Sequence, residues 1–135
     1  DKYINRRDKY MQRLLIVDDD IVFVNGMEMV LKNEERIIYK AHSVKEAVAI
    51  LKEEDKKLDL ICSDYQMHDG TFIDLMEHIK KYGIKCPVIV ISGHSEEEYV
   101  EKIKKAGAVL LFDKGFLEIQ KIRKSVSDIL RSVEI

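Results

Sequence analysis

The chain has 135 residues, 46% of them hydrophobic, which is enough for one globular domain with a sizeable core. Its 23 basic and 25 acidic residues give a formal net charge of −2, so we expect no bulk attraction to nucleic acid or to a membrane surface. No apolar run approaches the roughly 18 residues that span a bilayer, and no signal-peptide pattern opens the sequence. Cys62 and Cys86 lie in apolar stretches without metal-ligand spacing, which predicts reduced core residues of a cytoplasmic protein.

Residues 1–12 show no apolar periodicity and are interpreted as an N-terminal extension, either a linker or a segment added to the natural chain, with Met11 as a candidate native start. The predicted domain occupies residues 13–134. Within it, short apolar runs predict strands, and each run is followed by apolar residues at helical spacing. The predicted strands are 14–17, 37–41, 58–63, 88–92 and 109–112.

The helical segments between these runs carry recognisable ends. Capping-box patterns at 43–46 (SVKE) and 95–98 (SEEE) predict the starts of the second and fourth helices. Gly83 is predicted just past the third helix, and Gly107 follows the fourth. The segment QMHDG, between the third strand and its helix, is predicted as a loop. The last helix carries one apolar face, formed by Ile119, Ile122, Val126, Ile129, Leu130 and Val133.

Five strand–helix units with strands that are apolar throughout predict a parallel sheet covered by helices on both faces. Right-handed crossovers favour a doubly wound, flavodoxin-like (βα)5 α/β fold, with a five-stranded parallel sheet in the order 2-1-3-4-5. In such sheets ligands bind beyond the carboxyl ends of the strands, near the switch point between strands 1 and 3.

Polar side chains follow four of the predicted strands at that edge. Like-charged carboxylates at ~4–6 Å cost on the order of 1–4 kcal/mol per pair, so a crowded acid run predicts a bound cation. Because the groups converge on one edge, we interpret them as one site. Its five members are Asp18 and Asp19 after the first strand, Asp64 after the third, Ser92 at the end of the fourth and Lys114 after the fifth, and Asp20 completes the acid run.

Phosphoryl transfer to a carboxylate needs this set of groups. Mg²⁺, or Mn²⁺ in its place, prefers oxygen ligands, which Asp18 and Asp19 supply. Asp64 is predicted to be both a ligand and the nucleophile, forming an aspartyl phosphate. The Lys114 ammonium and the Ser92 hydroxyl would then neutralise charge on the phosphoryl oxygens. Asp20 is interpreted as the cap of the first helix rather than as a ligand.

The motifs LLIVDDD, SDYQMHDG, VIVISGH and FDKGF resemble those of receiver domains of two-component response regulators, and the resemblance covers residues 13 to about 133. It implies that Asp18 and Asp19 bind Mg²⁺ and that the main-chain carbonyl of Gln66 completes the metal site. Asp64 would take a phosphoryl group from a phosphohistidine of a sensor histidine kinase or a phosphotransfer protein. Ser92 and Lys114 match the switch hydroxyl and lysine of the family. The expected protein is a cytoplasmic phosphoacceptor rather than an enzyme, apart from its own phosphorylation and dephosphorylation.

Four positions depart from the usual pattern of that family. His68 stands where a proline is common, and Phe72 where a glycine is common. Gly115 replaces the proline that follows the lysine, where the peptide bond is typically cis, and a cis bond before a non-proline residue costs ~3–4 kcal/mol. Leu111 replaces an aromatic residue whose inward rotation accompanies phosphorylation, which predicts weaker coupling or coupling through other residues.

Output is expected to follow a population shift at the face formed by the fourth helix, the fifth strand and the fifth helix, where an output partner or a second copy would dock. Basic residues on these two helices support docking, although ordinary solvated faces explain them equally well. They are Lys102, Lys104, Lys105, Lys121, Arg123 and Lys124.

Two histidines, His42 and His78, are interpreted as surface residues without a metal-ligand constellation. His94 and Gln66 lie beside the proposed site. Substitution of either is predicted to change the lifetime of the phosphoryl group more than its formation.

The sequence leaves two alternative functions open. Asp18, Asp20 and Val22 fit the D-x-D-x-V start of haloacid-dehalogenase-like phosphatases, in which Asp18 would be the nucleophile and Asp20 the general acid/base. Against this, no later strand ends in a paired acidic motif, the length leaves no room for a cap, and Asp64 would be unexplained. A degenerate receiver that acts only as a docking module is the second rival, and the five retained site residues weigh against it.

Overall fold

The computed structural model describes residues 11–53, 57–94 and 96–132. Five strands form one parallel sheet in the order β2-β1-β3-β4-β5, numbered along the chain, as predicted. The strands are β1 Gln12–Val17, β2 Arg36–Ala41, β3 Leu60–Ser63, β4 Val88–Ser92 and β5 Leu110–Asp113. The helices are α1 Ile21–Leu31, α2 Val44–Leu51, α3 Phe72–Lys81, α4 Glu97–Ala106 and α5 Ile119–Ser132, and a 3-10 turn spans Lys114–Phe116. No helix among these described residues is long and apolar enough to cross a membrane.

Helices cover both faces of the sheet, and successive strand residues point to opposite faces. In β1, Leu15 and Val17 join the cluster that packs under α2, α3 and α4. Leu14 and Ile16 join the second cluster, under α1 and α5. This two-sided burial explains why the strands read as unbroken apolar runs. β1 begins at Gln12, one residue before the predicted boundary of the domain, and residues 1–10 lie outside the described ranges.

The third strand is shorter than predicted, because β3 begins at Leu60 rather than at 58. Asp59 is instead tied to the backbone of Arg13: its N–H donates to the Arg13 carbonyl at 2.7 Å, and its carboxylate accepts from the Arg13 N–H at 2.8 Å. A side-chain acceptor of this kind replaces the regular ladder at the strand start.

Two of the predicted helix ends need correction. Ser43 caps α2 by accepting from the Glu46 N–H at 2.9 Å, but the Glu46 carboxylate accepts from the N–H of His42, at 3.3 Å, instead of from that of Ser43. The capping box predicted at 95–98 is wrong, because the cap residue of α4 is Glu96, which makes no side-chain cap bond. Ser95 lies outside the described residues, as does Val133 of the last predicted apolar face.

The segment predicted as a loop after β3 contains a two-stranded antiparallel hairpin, in which Gln66–Met67 pairs with Gly70–Thr71. Gly70 turns this hairpin with a φ of 155°, and a Cβ there would lie 2.8 Å from Oδ2 of Asp74. Thr71 and Asp74 then form a capping box that starts α3. Gly83 after α3 and Gly107 after α4 have positive φ, as predicted for helix ends.

Both cysteines are free thiols, as predicted. Cys62 is buried in β3, and burial raises the pKa of its thiol to about 12. Cys86 is half-buried, and burial, with smaller contributions from Asp59 and Cys62, likewise raises its pKa to about 12. Both thiols are therefore protonated and unreactive at neutral pH.

Candidate functional site

The ends of β1 and β3 lie side by side because the two strands pair directly, with Val17 opposite Ser63. The hydrogen-bonding ladder continues one residue past each strand. The Asp18 N–H donates to the Ala41 carbonyl at 3.0 Å, and the Asp64 N–H donates to the Val17 carbonyl at 2.8 Å. Two carboxylates 46 positions apart in the sequence therefore face the same edge of the sheet.

Three of the predicted site acids form one group. Asp18, Asp19 and Asp64 each offer a carboxylate oxygen, and these oxygens all lie within 4.8 Å of one another. Asp18 is buried, with Oδ1 accepting from the Asp20 N–H at 2.9 Å, whereas Asp19 is exposed. Clustered carboxylate oxygens are ligands that hard divalent cations prefer. This acid group could hold a metal ion.

Lys114 brings a positive charge to the acid group. Its Nζ lies 2.8 Å from Oδ2 of Asp18 and 3.7 Å from Oδ2 of Asp64, and 4.3 Å from the centroid of the Phe23 ring. Partial burial opposes its charge, but the hydrogen bond to Asp18 and the charges of Asp64 and Asp18 outweigh that effect and raise the pKa of Lys114. The group is therefore an ammonium ion at neutral pH.

The environment of Asp64 disfavours its negative charge. Burial raises the pKa of Asp64 from its ordinary value of 3.8 to about 6, and the charge of Asp18 adds to this effect. The Lys114 ammonium and the Tyr65 N–H, which donates to Asp64 Oδ1 at 2.8 Å, oppose it only in part. The site thus holds more negative charge than its own lysine neutralises, which is the condition under which a bound cation is favourable.

Ser92 ends β4, beside β3 in the sheet, and is fully buried. Its Oγ accepts from the N–H of His94 at 3.0 Å. The hydroxyl is thereby tied to the loop that follows β4. The His94 ring contacts the rings of Tyr65 and Tyr99, and no periodic pattern in the sequence predicts this contact.

Gln66 lies in the hairpin, two residues after Asp64, and its side-chain amide donates to the Met67 carbonyl at 3.2 Å.

Asp69, a residue for which the sequence predicted no role, anchors this hairpin to α2. Asp69 accepts from the N–H of Val44 at 2.8 Å and of Lys45 at 2.9 Å, so its carboxylate caps the start of α2. The DG pair in SDYQMHDG was the available signal, but a bond between residues 25 positions apart is invisible without the fold.

Asp20 has the predicted capping role, since it is the cap residue of α1 and its Oδ1 accepts from the Phe23 N–H at 3.1 Å. His42, predicted as a simple surface residue, is half-buried, with Nδ1 3.2 Å from the main-chain carbonyl oxygen of Asp18. His68 is exposed, with Nδ1 3.9 Å from Oδ2 of Asp19.

The positions that depart from the family pattern have local explanations. Every peptide bond among the described residues is trans, including the one that precedes Gly115. The Gly115 N–H donates to Oδ1 of Asp113 at 2.8 Å, a bond that proline could not make, and this caps the turn that carries Lys114. Phe72, the first residue of α3, is fully buried, and Leu111 is half-buried on β5.

Fold and site together define a class: a doubly wound parallel α/β domain that gathers carboxylates and a lysine at the carboxyl edge of its sheet. The sequence profile described as "Response regulator receiver domain" matches residues 14–127, which is most of the chain. The chain therefore belongs to the response regulator receiver domain family of two-component systems. This membership supports the receiver interpretation over the haloacid-dehalogenase-like alternative.

Similar proteins agree with this family. The chain is 32% identical over 96 residues to two-component response regulator ARR12 of Arabidopsis thaliana, an alignment that covers 71% of this chain and 16% of that protein. It is 29% identical over 119 residues to chemotaxis protein CheY of Halobacterium salinarum, covering 88% of this chain and 97% of CheY. The chain thus spans a small part of the plant regulators and nearly all of CheY.

The fold is that of solved receiver domains. A CheY-like response regulator receiver domain protein from Methanospirillum hungatei JF-1 superposes with a TM-score of 0.79 over 90% of this chain and 95% of that chain, at 22% identity. At this identity the likeness supports the fold alone.

Proposed function

We propose that the chain accepts a phosphoryl group on Asp64 from a phosphohistidine of a sensor histidine kinase or a phosphotransfer protein. The observation that carries this proposal is the placement of Asp64 within 4.8 Å of two further carboxylates, with the Lys114 ammonium 3.7 Å from its Oδ2. The Lys114 ammonium and a bound cation would offset the charge on the phosphoryl oxygens during transfer to this carboxylate. The chain would turn over no second substrate beyond its own phosphorylation and dephosphorylation.

In the proposed reaction, a carboxylate oxygen of Asp64 forms a bond to phosphorus as the bond from phosphorus to the donor imidazole breaks. The imidazole leaves with the electron pair of that bond. The Tyr65 N–H holds Oδ1 of Asp64 at 2.8 Å and so fixes the orientation of the carboxylate. Such transfer depends mainly on positioning and on electrostatic stabilisation, and both are supplied by fixed groups here.

The donor set fits Mg²⁺ or Mn²⁺, because it consists of carboxylate oxygens with an excess of negative charge. Asp18, Asp19, Asp64 and the main-chain carbonyl of Gln66 would hold the ion. When bound, the ion supplies positive charge that stabilises the phosphoryl oxygens. The buried Asp18 is held by the Asp20 N–H and by Lys114, so its carboxylate is already oriented.

After transfer, Lys114 would exchange its contact with Asp64 for one with a phosphoryl oxygen. Its Nζ is close enough for this, and its bond to Asp18 keeps the ammonium at the site. The Ser92 hydroxyl would turn toward the phosphoryl group, adding a donor. The added charge of about −1.5 to −2 makes both contacts favourable and shifts the population of the conformations linked to them.

Labelling with acetyl phosphate and Mg²⁺, followed by intact mass spectrometry, tests the proposed acceptor. The wild type should gain one phosphoryl group and Asp64→Asn none, while Asp128→Asn on the surface of α5 serves as the control. If Asp18 is the nucleophile instead, Asp18→Asn should abolish labelling while Asp64→Asn retains it. An unlabelled wild type would favour a docking module without phosphoacceptor chemistry.

Exposed apolar residues beside the site support docking of the phosphodonor. Ile21 and Val22 begin α1 directly after the acid run and are 59% and 82% exposed, and Phe116, two residues after Lys114, is 84% exposed. A donor helix that covers them would exclude water from the reacting phosphorus. The free thiols Cys62 and Cys86 are compatible with the cytoplasm, where such kinases transfer phosphate.

The face formed by α4, β5 and α5 is proposed to bind an output partner or a second copy. Val109, before β5, and Leu110 are partly exposed there, at 51% and 38%, and the basic residues predicted from the sequence are all exposed. Three of these already have partners: Lys121 pairs with Glu118 at 3.0 Å, Lys124 pairs with Asp128 at 2.9 Å, and Arg123 Nε donates to the Val30 carbonyl of α1 at 3.1 Å. Size-exclusion chromatography with and without beryllofluoride tests dimerisation, and an unchanged elution volume would contradict it.

Gln66 and His94 are proposed to govern how long the phosphoryl group persists. Gln66 lies in the hairpin that follows Asp64, and His94 lies next to Ser92 through its N–H bond. Among the described residues, neither side chain forms a hydrogen bond to the Asp64 carboxylate, so both should act on the access of water. Gln66→Ala and His94→Ala should change the dephosphorylation half-life while labelling rates stay near that of the wild type.

A further inference from the structure

Three aromatic side chains next to the acid group form one contact group, which we call the ring cluster: Tyr65, His94 and Tyr99. The Tyr65 ring lies edge-on to His94, at 5.8 Å between centroids and 74°, and to Tyr99, at 5.3 Å and 84°. The His94 ring stacks on Tyr99 at 4.5 Å with an interplanar angle of 23°. Edge-on and stacked geometries are those that aromatic rings favour, so the three rings form a defined arrangement.

Two members of the ring cluster are bonded to residues of the acceptor site. Tyr65 follows Asp64, its N–H donates to Asp64 Oδ1 at 2.8 Å, and its carbonyl accepts from the Phe72 N–H at 2.7 Å. The His94 N–H donates to Ser92 Oγ at 3.0 Å. If the Ser92 hydroxyl turns toward a new phosphoryl oxygen, the geometry of this bond changes. A movement of the hydroxyl is thereby passed to the main chain of His94.

The third ring belongs to a helix that is held by few contacts. Tyr99 lies in the first turn of α4, a ten-residue helix in which Ile103 alone is buried. By contrast, α3 buries four side chains. Among the described residues, Glu96, the cap residue of α4, makes no side-chain cap bond. The ring cluster is therefore a major contact of the first turn of α4, and a helix held in this way can shift at low cost.

We propose that the ring cluster carries the response to loading of Asp64 from Ser92 to the first turn of α4. The inference rests on the proposed function, because loading of Asp64 is its trigger. The half-buried Leu111 on β5 has no ring, so the coupling is assigned to the bond between His94 and Ser92 and to the stacking of His94 on Tyr99. Packed rings exchange between discrete arrangements, and loading shifts the balance between them.

Amide hydrogen exchange of α4, with and without beryllofluoride and Mg²⁺, tests the proposal, while fluorine NMR reports loading of Asp64 separately. The variant Tyr99→Leu removes the ring but keeps apolar bulk, and Tyr99→Phe keeps the ring. Tyr82→Leu is the matched control, because the Tyr82 ring contacts His78 on α3 at 6.3 Å, outside the ring cluster.

We expect loading to change exchange in α4 by at least about fivefold in the wild type, in Tyr99→Phe and in Tyr82→Leu. Tyr99→Leu should still load beryllofluoride but lose most of that change. A wild type that loads without a change in α4, or a Tyr99→Leu variant with the full change, would overturn the inference and leave the proposed function standing. A wild type that does not load would overturn both.

Discussion

Two regions of the molecule differ in how firmly their parts are held. The first, which we call the α1–α5 face, is fixed by burial and by bonds between distant elements. α5 buries Ile122, Val126 and Leu130. Arg36 donates to the Leu31 carbonyl at 2.7 Å, to Ser127 Oγ at 3.1 Å and to Gln12 Oε1 at 3.3 Å, and so ties α1, α5 and β1 together.

The second region, which we call the site–α4 region, comprises the acid group, the loop after β4 and helix α4. It contains a carboxylate whose pKa is raised to about 6 and a helix with a single buried side chain. Both features lower the stability of the folded protein, but the first supports the proposed chemistry and the second allows α4 to move. The α1–α5 face therefore serves as a rigid support, whereas α4 in the site–α4 region is held by fewer buried side chains and can move at lower cost.

The largest expected effect on stability is the loss caused by an isoleucine-to-alanine substitution, which can be compared between the two regions. Ile122 of α5 and Ile103 of α4 are 1% and 0% exposed, so their burial is matched. Ile122→Ala should lower the free energy of unfolding by about 3 to 4 kcal/mol, and Ile103→Ala by about 2, because a weakly held helix settles into the cavity more easily. Urea denaturation measures both, and equal losses would contradict the difference between the regions.

Removal of the charge at Asp64 should raise the free energy of unfolding rather than lower it. The pKa of Asp64 is raised in the folded state, so ionisation destabilises the fold increasingly as the pH rises from about 4 to about 6. Its carboxylate is 12% exposed, and a shift of about two pKa units corresponds to at most about 3 kcal/mol. Asp64→Asn should therefore stabilise the metal-free protein at pH 7.5 by about 2 kcal/mol.

The gain from Asp64→Asn should shrink toward zero at pH 4, where the wild-type carboxyl is also neutral. Asp128→Asn, on the exposed surface of α5, is the control and should leave the free energy of unfolding nearly unchanged at either pH. Denaturation at the two pH values without divalent cations measures this. A gain that is the same at both pH values would show that charge is not its cause.

The bonds of Arg36 should contribute a smaller amount. Arg36→Ala removes three side-chain donors from the α1–α5 face and leaves the Leu31 carbonyl without that partner, so a loss of about 1 to 2 kcal/mol is expected. Ser127→Ala removes one of these bonds and should cost about 0.5 kcal/mol. Thermal unfolding of the two variants measures the difference, and a neutral Arg36→Ala would show that the region is held by burial alone.

Tyr99→Leu should lower the free energy of unfolding less than Arg36→Ala does. The two ring contacts of Tyr99 should be worth about 1 kcal/mol together, because the side chain is half-buried and leucine retains part of the apolar contact. Urea denaturation should therefore show a nearly unchanged protein, although the response of α4 is lost. A loss above about 3 kcal/mol would place Tyr99 in the rigid support instead.

Much of the fold and part of the site followed from local patterns. The strands were predictable because burial on both faces leaves continuous apolar runs. The capping role of Asp20 was predictable because a cap residue acts on the next turn of the chain. The start of β3 was not, because Asp59 bonds to Arg13, 46 positions away. The hairpin after Asp64 was missed for a related reason, since its few residues carry no periodic signal.

The sequence by itself determined the order of the strands, the carboxyl edge as the location of the site, and the identity of its acids and lysine. These follow from hydrophobic period and chain handedness, which act locally and repeat along the chain. The tertiary structure alone decided that Lys114 bonds to Asp18, that burial and Asp18 raise the pKa of Asp64, and that the rings of Tyr65, His94 and Tyr99 meet. Distances and dielectric surroundings depend on elements far apart in sequence, and no local pattern encodes them.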